Sequence, residues 1–538
     1  RLKLNTKTNL KLHRFLHMIR KILLILFSIV LIVSCGNKLE QPKEIILVKI
    51  GPKSISKNEF IRRAEMTIRP PYCRSNYNLH KKIVLNSLIA EKLLALEAGE
   101  DNDFINDPVI QKHLQGRKEQ AMRQWLFYEK ATKKVELDSS EILKYFAWAD
   151  RHYNISYVNL QDSALAWQLF EQAAKDTTQF DEILQRNIGL TKLPRRKIQY
   201  SNTEPDPVLD ALFTRRILKG EVLPPVKVGK NDFLLMKVDG WRRYPIITQS
   251  QADQTWFNIS ENLTRRKAEK YFANYIRQVM RGKTITFERN NFLHLVELLG
   301  PIYLKTPEEK KKQLKKLYWD EGEVEDKFSE VQPKLKEMEK APIFNINGKT
   351  FTVEDLMEAM STHPLVFRKK NFPNKEFGQQ LQFAIMDLIT DQELTKIAYQ
   401  NHYDEINVVK RNYQMWKDSF NAYYYKKQLM QKWGIADTTF QKRMIPVIEE
   451  FFNPYVDSLQ NKYSSMIEIN TDEFNKIKLT RIDMVATFSN LPYSLVVPPF
   501  PTLTTDDRLD YGKKMNSSPV DEKVKNQKKK NQKEKRLP

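Results

Sequence analysis

Eight histidines and two cysteines are the side chains of this sequence best suited to bind metals or to act as acids, bases and nucleophiles. No pair of the histidines combines the i, i+4 spacing with the carboxylate that helical zinc motifs use. The chain also lacks a Gly-x-Ser-x-Gly turn and a phosphate-binding glycine loop. The sequence therefore predicts no metal, no cofactor and no catalytic residue. The histidines are His13, His17, His80, His113, His152, His294, His363 and His402.

Cys35 has the clearest predicted chemistry, because of the segment that precedes it. Residues 18–21 are Met-Ile-Arg-Lys, and the apolar run 22–33 is shorter than the roughly 20 residues that a membrane-spanning helix needs. A basic start, a short apolar run and small residues before a cleavage point are typical of a secretory signal. With Ser34 before Cys35 and Gly36 after it, the segment resembles a bacterial lipoprotein signal, which implies that Cys35 carries the lipid. The alternative is an ordinary buried helix that ends in a cysteine.

The formal net charge of +23 is unevenly distributed. Seven positive charges lie in the first 21 residues, and residues 523–536 contain eight basic residues and one acid. Neither segment is expected to form part of a folded face, and the chain has no zinc-finger spacing and no recognisable DNA-binding helix pair. We therefore expect no nucleic-acid partner. The charge instead favours attraction to an anionic membrane surface or to acidic unfolded polypeptides.

Two segments repeat the same order of strand, turn and capped helix. Residues 50–56 (Ile-Gly-Pro-Lys-Ser-Ile-Ser) align with residues 346–352 (Ile-Asn-Gly-Lys-Thr-Phe-Thr), and the capping acids Glu59 and Asp355 follow in the same register. Chance similarity between amphipathic helices is the alternative, but the shared turn and cap favour two copies of one module. After a four-residue shift, the matched pairs are Leu85 with Ile385, Ile89 with Ile389, Glu91 with Asp391, Leu94 with Leu394, and Ala98 with Ala398.

The residues between the two copies predict a small α/β unit. Residues 153–160 alternate between apolar and polar side chains like a strand, an amphipathic helix around Trp167 follows, and residues 233–238 predict a closing strand. The unit has roughly 90 residues, which lies within the usual size range of domains. A long helix is expected over residues 251–280, with a strand over residues 284–287.

These patterns resemble a known family. The first copy, with its capped helix and the Leu-Ile-Ala-Glu-Lys-Leu segment 88–93, resembles the N-terminal module of SurA-type and PrsA-type extracytoplasmic foldases. Residues 140–245 resemble a parvulin domain. That likeness rests on residues 179–184, which match the Phe-containing helix start, and on the Leu-Lys-Gly-Glu-Val-Leu-Pro-Pro-Val turn 218–226 before the last strand.

The resemblance implies an α+β fold that is mostly helical, in which SurA-N-like helical modules carry an inserted parvulin-like domain. The helix and strand of the returning segment are expected to pack back on the first module. The predicted divisions are a leader and signal peptide (1–34), a tether (35–44), the first module (45–139), the parvulin-like domain (140–245), the returning helix and strand (246–300), a charged helical linker (301–341), the second module (342–432), a partial parvulin-like or irregular region (433–505) and a disordered basic tail (506–538).

The parvulin resemblance also implies where isomerase chemistry would lie. Such domains place inward-facing histidines on their first and last strands, around an apolar pocket for the twisted prolyl amide. Here the first-strand position falls on Ser156 and the last-strand position on Leu234, so both histidines are absent. The nearest histidine, His152, precedes the predicted strand and is expected to be a solvated turn residue. We therefore expect weak or lost catalysis, and whether the chain is an enzyme stays open.

An aromatic cluster allows two interpretations. Trp416, Phe420 and Tyr423–Tyr425 lie at helical spacing. They either form a surface that binds unfolded chains, which aromatic side chains favour, or they simply face the core of their module.

The sequence thus predicts a lipid-anchored chaperone on the periplasmic side of a bacterial membrane, most simply the outer membrane. Its expected partners are unfolded or partly folded envelope proteins and, through Cys35, the membrane itself. One alternative is an active peptidyl-prolyl isomerase with an unconventional pocket. A second is a structural lipoprotein subunit of an envelope or secretion assembly.

Overall fold

The computed structural model describes residues 41–75, 77–201, 204–229, 231–304, 308–309, 312, 327–369, 372–479 and 496–515. It is 59% helical with small, mainly antiparallel sheets, which confirms the α+β class with helix in excess. The predicted leader and signal peptide, Cys35, and residues 516–538 lie outside the described residues. The sequence predicted a disordered tail from residue 506, but residues 506–515 are ordered, because Asn86 binds the carbonyls of Asp506 and Arg508 and residues 513–514 pair with residues 468–469.

The helices and strands occur in the following order along the chain. The first module contains β1 (Ile46–Ile50), β2 (Lys53–Ser56), α1 (Lys57–Glu65), α2 (Asn78–Ala98) and α3 (Pro108–Lys130). The α/β unit contains α4 (Ser139–Phe146), β3 (Arg151–Leu160), α5 (Ser163–Lys175), α6 (Phe180–Ile188), β4 (Arg195–Ile198), α7 (Asp206–Phe213), β5 (Val222–Lys227) and β6 (Phe233–Arg243). Then come α8 (Gln249–Val279), β7 (Ile285–Phe287), α9 (Arg289–Tyr303), α10 (Lys327–Glu337), β8 (Pro342–Ile346), β9 (Lys349–Thr352), α11 (Val353–Thr362), α12 (Phe377–Gln400) and α13 (Asn407–Lys432). The last elements are α14 (Asp437–Lys442), α15 (Met444–Val447), α16 (Asn453–Lys462), β10 (Ile467–Ile469), α17 (Thr471–Asn475) and β11 (Lys513–Lys514).

The two predicted module starts are alike in detail. In each, a β-hairpin runs directly into a helix whose first turn is capped by a hydroxyl side chain. The Ser56 hydroxyl accepts a hydrogen bond from the Glu59 N–H at the start of α1, and Thr352 forms a reciprocal capping box with Asp355 at the start of α11. The hairpin turns need a left-handed residue, and Gly51 (φ 55°) supplies it in the first module.

The sheet of the first module is completed by a strand from the far end of the chain. β10 pairs antiparallel with β1, so that Ile467 lies opposite Ile50 and Ile469 opposite Val48. Beyond β10, β11 pairs with it in parallel and forms the edge of the sheet. The core beneath this sheet accordingly contains side chains from residues 447–474, including Phe452.

The sheet of the second module is completed by β7, a strand that precedes this module in the chain and follows α8. β7 pairs antiparallel with β8, with Ile285 opposite Ile346 and Phe287 opposite Phe344. Ile50 and Ile346 are aligned in the two copies, and each lies opposite the first residue of its added strand, Ile467 in β10 and Ile285 in β7. The two modules therefore exchange their third strands, in the manner of two subunits joined in one chain.

The modules also exchange helices. α13 packs along α2 of the first module, while α3 packs along α11 and α12 of the second, and α3 crosses α13. The approach of α3 to α11 depends on Gly116, because a Cβ at this position would lie 2.0 Å from the carbonyl oxygen of Thr362.

Each exchanged helix places a charged side chain inside the opposite module. Asp418 of α13 is fully buried and accepts hydrogen bonds from Lys53 (2.6 Å) and Lys92 (3.0 Å) of the first module. In the other direction, the Arg123 guanidinium of α3 donates to the Thr395 hydroxyl on α12 at 2.7 Å. Charges buried in this way require partners, so these contacts also specify how the two modules pair.

This exchange changes two expectations from the sequence. Residues 284–287 were expected to return to the first module, but β7 belongs to the sheet of the second. The strand that returns to the first module is β10, from the region 433–505 for which the sequence predicted a partial parvulin-like or irregular segment. A strand of three residues has too few side chains for its hydrophobic pattern to specify which strand it pairs with. The partner strand is therefore determined by how the two halves of the chain pack.

The α/β unit has one antiparallel sheet, in the order β4–β3–β6–β5, with a separate core on each face. One face carries α5 and α6, and the other carries α4, α7 and the first half of α8. The core on the α5 and α6 face includes Val158, Leu169, Phe180 and Leu235. The core on the opposite face includes Tyr153, Leu212, Leu234 and Ile259.

The long helix α8 joins this unit to the paired modules. Its 31 residues span about 46 Å at 1.5 Å per residue. Ile259 and Leu263 in its first half belong to the core of the α/β unit, whereas Ala268 and Phe272 further along pack with α3 and α12. In the predicted charged linker, α10 buries Val331 and Leu335 in the second module, so this part is not a freely solvated helix.

The first prediction concerns Asp418. We expect Asp418→Asn to lower the free energy of unfolding by about 3 kcal/mol, because Lys53 and Lys92 would each lose one of the two carboxylates that compensate their charges, and Asp418 is the fully buried one they share. Asp437→Asn is the matched control, since its ion pair with Lys427 is half exposed and should change stability by less than about 1 kcal/mol. Urea unfolding of both variants measures the difference, and equal midpoints would contradict the role given to Asp418.

Candidate functional site

Ser156, the predicted first-strand position of the isomerase pocket, is buried and already bonded. Its hydroxyl donates to the Asp239 carboxylate at 2.7 Å, and it lies opposite Lys237 in the β3–β6 ladder. Residues that lie opposite each other share a face of the sheet. Ser156 therefore faces α5 and α6.

Leu234, the predicted last-strand position, lies on the other face. It is opposite Asn159 in the ladder, three residues from the position opposite Ser156, and side chains alternate between faces along a strand. Leu234 is buried in the core formed with α7 and α8. The structure therefore does not bring Ser156 and Leu234 together, and it is Tyr157 that shares the face of Leu234.

His152 is not the solvated turn residue that the sequence led us to expect. β3 begins at Arg151, so His152 lies within the strand, and its ring packs on Tyr244 with 4.1 Å between ring centroids. Partial burial and the positive charge of Lys197 lower the pKa of His152, which favours its neutral form. The position is far along β3 from Ser156, at the end where the strand starts.

The face of Ser156 carries an ion-pair cluster centred on Asp181. Asp181 accepts hydrogen bonds from Lys237 (2.9 Å) and Arg195 (3.2 Å), and the Lys237 ammonium lies over the Phe180 ring. Burial alone would raise the pKa of Asp181, but these two cations outweigh it and lower the pKa. The cluster attaches the start of α6 to the sheet, because Asp181 lies in the first turn of α6 whereas Arg195 and Lys237 lie on β4 and β6. Its charges pair with one another, which indicates a structural role.

A group of partly exposed aromatic rings lies where α3 and α13 cross. We call Phe104, Phe420, Tyr423 and Tyr424 the crossing patch. The Phe104 ring stacks on Tyr424 (5.5 Å between centroids) and contacts Phe420 and Tyr423 at 6.4 and 6.3 Å. Tyr423 is 52% exposed, and the other three rings are partly exposed.

The structure buries part of the aromatic cluster and exposes the rest. Trp416 is buried beneath the patch, and the Tyr425 hydroxyl hydrogen-bonds the Tyr455 hydroxyl at 2.9 Å at the margin of the first module's core, where both rings are partly buried. Tyr423 is instead exposed, and Phe420 is partly exposed while packing against Trp416. Phe104 was missed, because it lies in the loop before α3 and only the crossing brings it to the others.

His113 forms the base of the crossing patch. Its ring contacts Trp416 and Phe420 at centroid distances of 5.5 and 5.4 Å, and its Nε2 accepts a hydrogen bond from Arg117 Nε at 3.2 Å. Burial, together with the Arg117 charge, lowers the pKa of His113 to about 4. The histidine is therefore neutral near pH 7.

A second polar group unforeseen from sequence lies inside the first module, around Asp418. Arg63 forms a bidentate ion pair with Glu91 (2.8 and 2.7 Å), and Lys92 pairs with Glu59 at 2.9 Å. Burial would lower the pKa of Lys92, but Glu59, Asp418 and Glu91 raise it, so the ammonium stays charged. The signal in the sequence was the Glu-Lys pair 91–92 within the otherwise apolar stripe of α2. Each of these side chains is buried and forms an ion pair with another member of the group. We therefore assign the group a structural role.

Three further observations bear on chemistry. Within the described residues, no cluster of three or more His, Cys, Asp or Glu side chains is arranged to hold a metal ion. The side chain of Cys73 is buried. Among the helices of the described ranges, none has both the length and the apolar character to cross a membrane. The lipidation site predicted at Cys35 falls outside those ranges.

No protein family, no characterised protein and no solved structure was found to match this chain significantly. The functional conclusion must therefore come from its own residues.

The second prediction concerns pH. Because the pKa of His113 falls from 6.5 to about 4 on folding, the unfolded chain binds its proton first as the pH decreases. The stabilisation from neutral His113 is complete above about pH 6.5 and is lost as the pH falls toward 4. Urea unfolding at about pH 7 and about pH 5 should show a smaller loss of stability for His113→Gln than for the wild type. His402→Gln, at an exposed position, should behave like the wild type.

Proposed function

We propose that this protein is a lipid-anchored periplasmic chaperone of the SurA and PrsA type, which holds unfolded or partly folded envelope proteins. In this proposal the two strand-exchanging modules are SurA-N-like, and the α/β unit is a parvulin-like domain with weak or lost isomerase activity. The lipoprotein-like signal that ends at Cys35 supports the anchor and the outer membrane as its location.

The crossing patch is the observation that carries the proposal. Aromatic side chains supply large contact areas to binding surfaces, and partly exposed apolar groups that adjoin one another mark interaction sites. His113 and the buried Trp416 support the patch from below, and α13 and the loop before α3 form it. An aromatic surface can bind apolar segments of many different chains without recognising one sequence.

The geometry of the α/β unit supports binding of a client chain better than it supports prolyl isomerisation. Ser156 donates its hydroxyl hydrogen to Asp239, and Leu234 is buried on the opposite face, so these two positions do not line a common pocket. α8 connects the unit to the modules with about half of its length in each, which offers separated contact points on one client. The positive net charge favours acidic unfolded polypeptides and an anionic membrane surface.

The third prediction tests the crossing patch. The double variant Phe104→Ser/Tyr423→Ser should suppress aggregation of a reduced model client about 3- to 10-fold less well, because it removes two of the four rings. Tyr77→Ser is the matched control, since it removes an exposed tyrosine that lies outside the patch. Light scattering at several chaperone concentrations measures the effect. Unchanged suppression by the double variant would contradict holding at this surface.

The fourth prediction tests the anchor. Cells that express the full chain should incorporate labelled fatty acid into it and retain it in the membrane fraction. Cys35→Ala should abolish both, because no other cysteine follows the signal-like segment directly. Labelling that persists in Cys35→Ala and disappears in Cys73→Ala would show that the anchor had been assigned to the wrong residue.

A further inference from the structure

The outer edge of β10 shows how a module of this type binds an extended chain. β11 pairs with β10 in parallel, with Lys513 opposite Glu468 and Lys514 opposite Ile469. The Met515 N–H donates to the Ile469 carbonyl at 2.9 Å. The edge of this sheet is therefore used for strand addition within the chain itself.

The residues that precede β11 are bound through both their main chain and their side chains, and the Arg508 guanidinium, for example, pairs with Asp457 at 2.8 Å. The Asn86 amide donates to the carbonyl oxygens of Asp506 and Arg508 at 2.8 and 2.7 Å, and Arg63 donates to the Pro499 carbonyl at 2.9 Å. Phe500 and Leu503, from the same segment, are buried in the core of the first module. Recognition by backbone groups with a few apolar anchors depends little on sequence.

The corresponding edge in the second module is β7. The pairings with β8 and β1 equate Ile285 with Ile467, Thr286 with Glu468, and Phe287 with Ile469. The Glu288 N–H donates to the Ile343 carbonyl, so the alternation of an antiparallel ladder directs the backbone groups of Thr286 toward β8. The N–H and C=O groups of Ile285 and Phe287 then point away from the sheet.

Within the part of the chain that the structure describes, these outward groups have no hydrogen-bond partner, and no strand lies beside β7. Ile285 and Phe287 are partly exposed, and Thr286 is exposed. An open strand edge is a template for pairing with another extended segment.

We propose that β7 binds an extended segment of a client polypeptide by parallel strand addition, as β10 binds β11. This inference rests on the proposed chaperone function and assigns to it a second contact, in addition to the crossing patch. Two residues with two backbone groups each offer up to four hydrogen bonds, so binding is weak and reversible. Where the first module has Asn86, the alignment of Leu85 with Ile385 places Met386, so the second module lacks the amide that binds the backbone carbonyls of Asp506 and Arg508 in the first.

The fifth prediction is an amide-exchange pattern in the full chain. In the free protein, the amides of Ile285 and Phe287 should exchange rapidly, whereas Thr286 should be protected by β8. Adding reduced and carboxymethylated α-lactalbumin as a permanently unfolded client should slow Ile285 and Phe287 about tenfold and leave Thr286 unchanged, because only the outward groups gain partners.

A matched pair of variants tests the same edge by affinity. Ile285→Ala and Ile285→Pro both remove the side chain, but only proline also removes the outward N–H and blocks an added strand. Ile285→Pro should bind the client about fivefold more weakly than Ile285→Ala, the loss expected for one backbone hydrogen bond. Circular dichroism checks that both variants fold, and exchange in the wild type tests the proposal independently of them.

The outcomes separate the two proposals. Client binding without protection at Ile285 and Phe287 would overturn strand addition and leave the chaperone function standing. Protection of these amides before any client is added would show that another segment of this chain occupies the edge, which also overturns it. If the protein bound no client at all, both the proposed chaperone function and strand addition at β7 would be contradicted.

Discussion

The structure depends on the reciprocal pairing of β10 with β1 and of β7 with β8. Each pairing completes a sheet whose hairpin comes from the opposite half of the chain, and without it the apolar face of that sheet would lack a third strand. A two-stranded hairpin is marginal in water, whereas three strands over a hydrophobic face are stable. The two modules must therefore form together, and each is a structural requirement for the other.

The exchanged helices turn this mutual dependence into a fixed geometry. Asp418 sits among lysines of the first module, and Arg123 reaches Thr395 of the second. Gly116 permits the close approach between α3 and α11. These charged contacts hold α3 and α13 at both modules, and the aromatic rings of the crossing patch lie where the two helices meet.

The two candidate contact sites both follow from the pairing of the two modules. The crossing patch lies where α13 meets α3 and the loop before it, and β7 ends its sheet because, among the described residues, only β10 has a further strand beside it. The two modules differ at this edge. Asn86 contacts the segment before β11 in the first module, whereas Met386 takes the aligned position in the second, where no added strand lies beside β7 in the described part of the chain.

Local chemistry made much of this fold predictable. The Ser56 and Thr352 caps, the glycine turns, the apolar stripes of α2 and α12 and the alternation in β3 all act within a few residues, so the sequence alone determined these elements and their order. It could not determine that Phe104 joins Phe420, that Ser156 and Leu234 face opposite ways, or that Ile467–Ile469 returns to β1. These facts depend on contacts between residues that lie far apart in the chain, and a strand as short as β10 has backbone groups that do not distinguish one partner strand from another. Only the packing of the whole chain decided them.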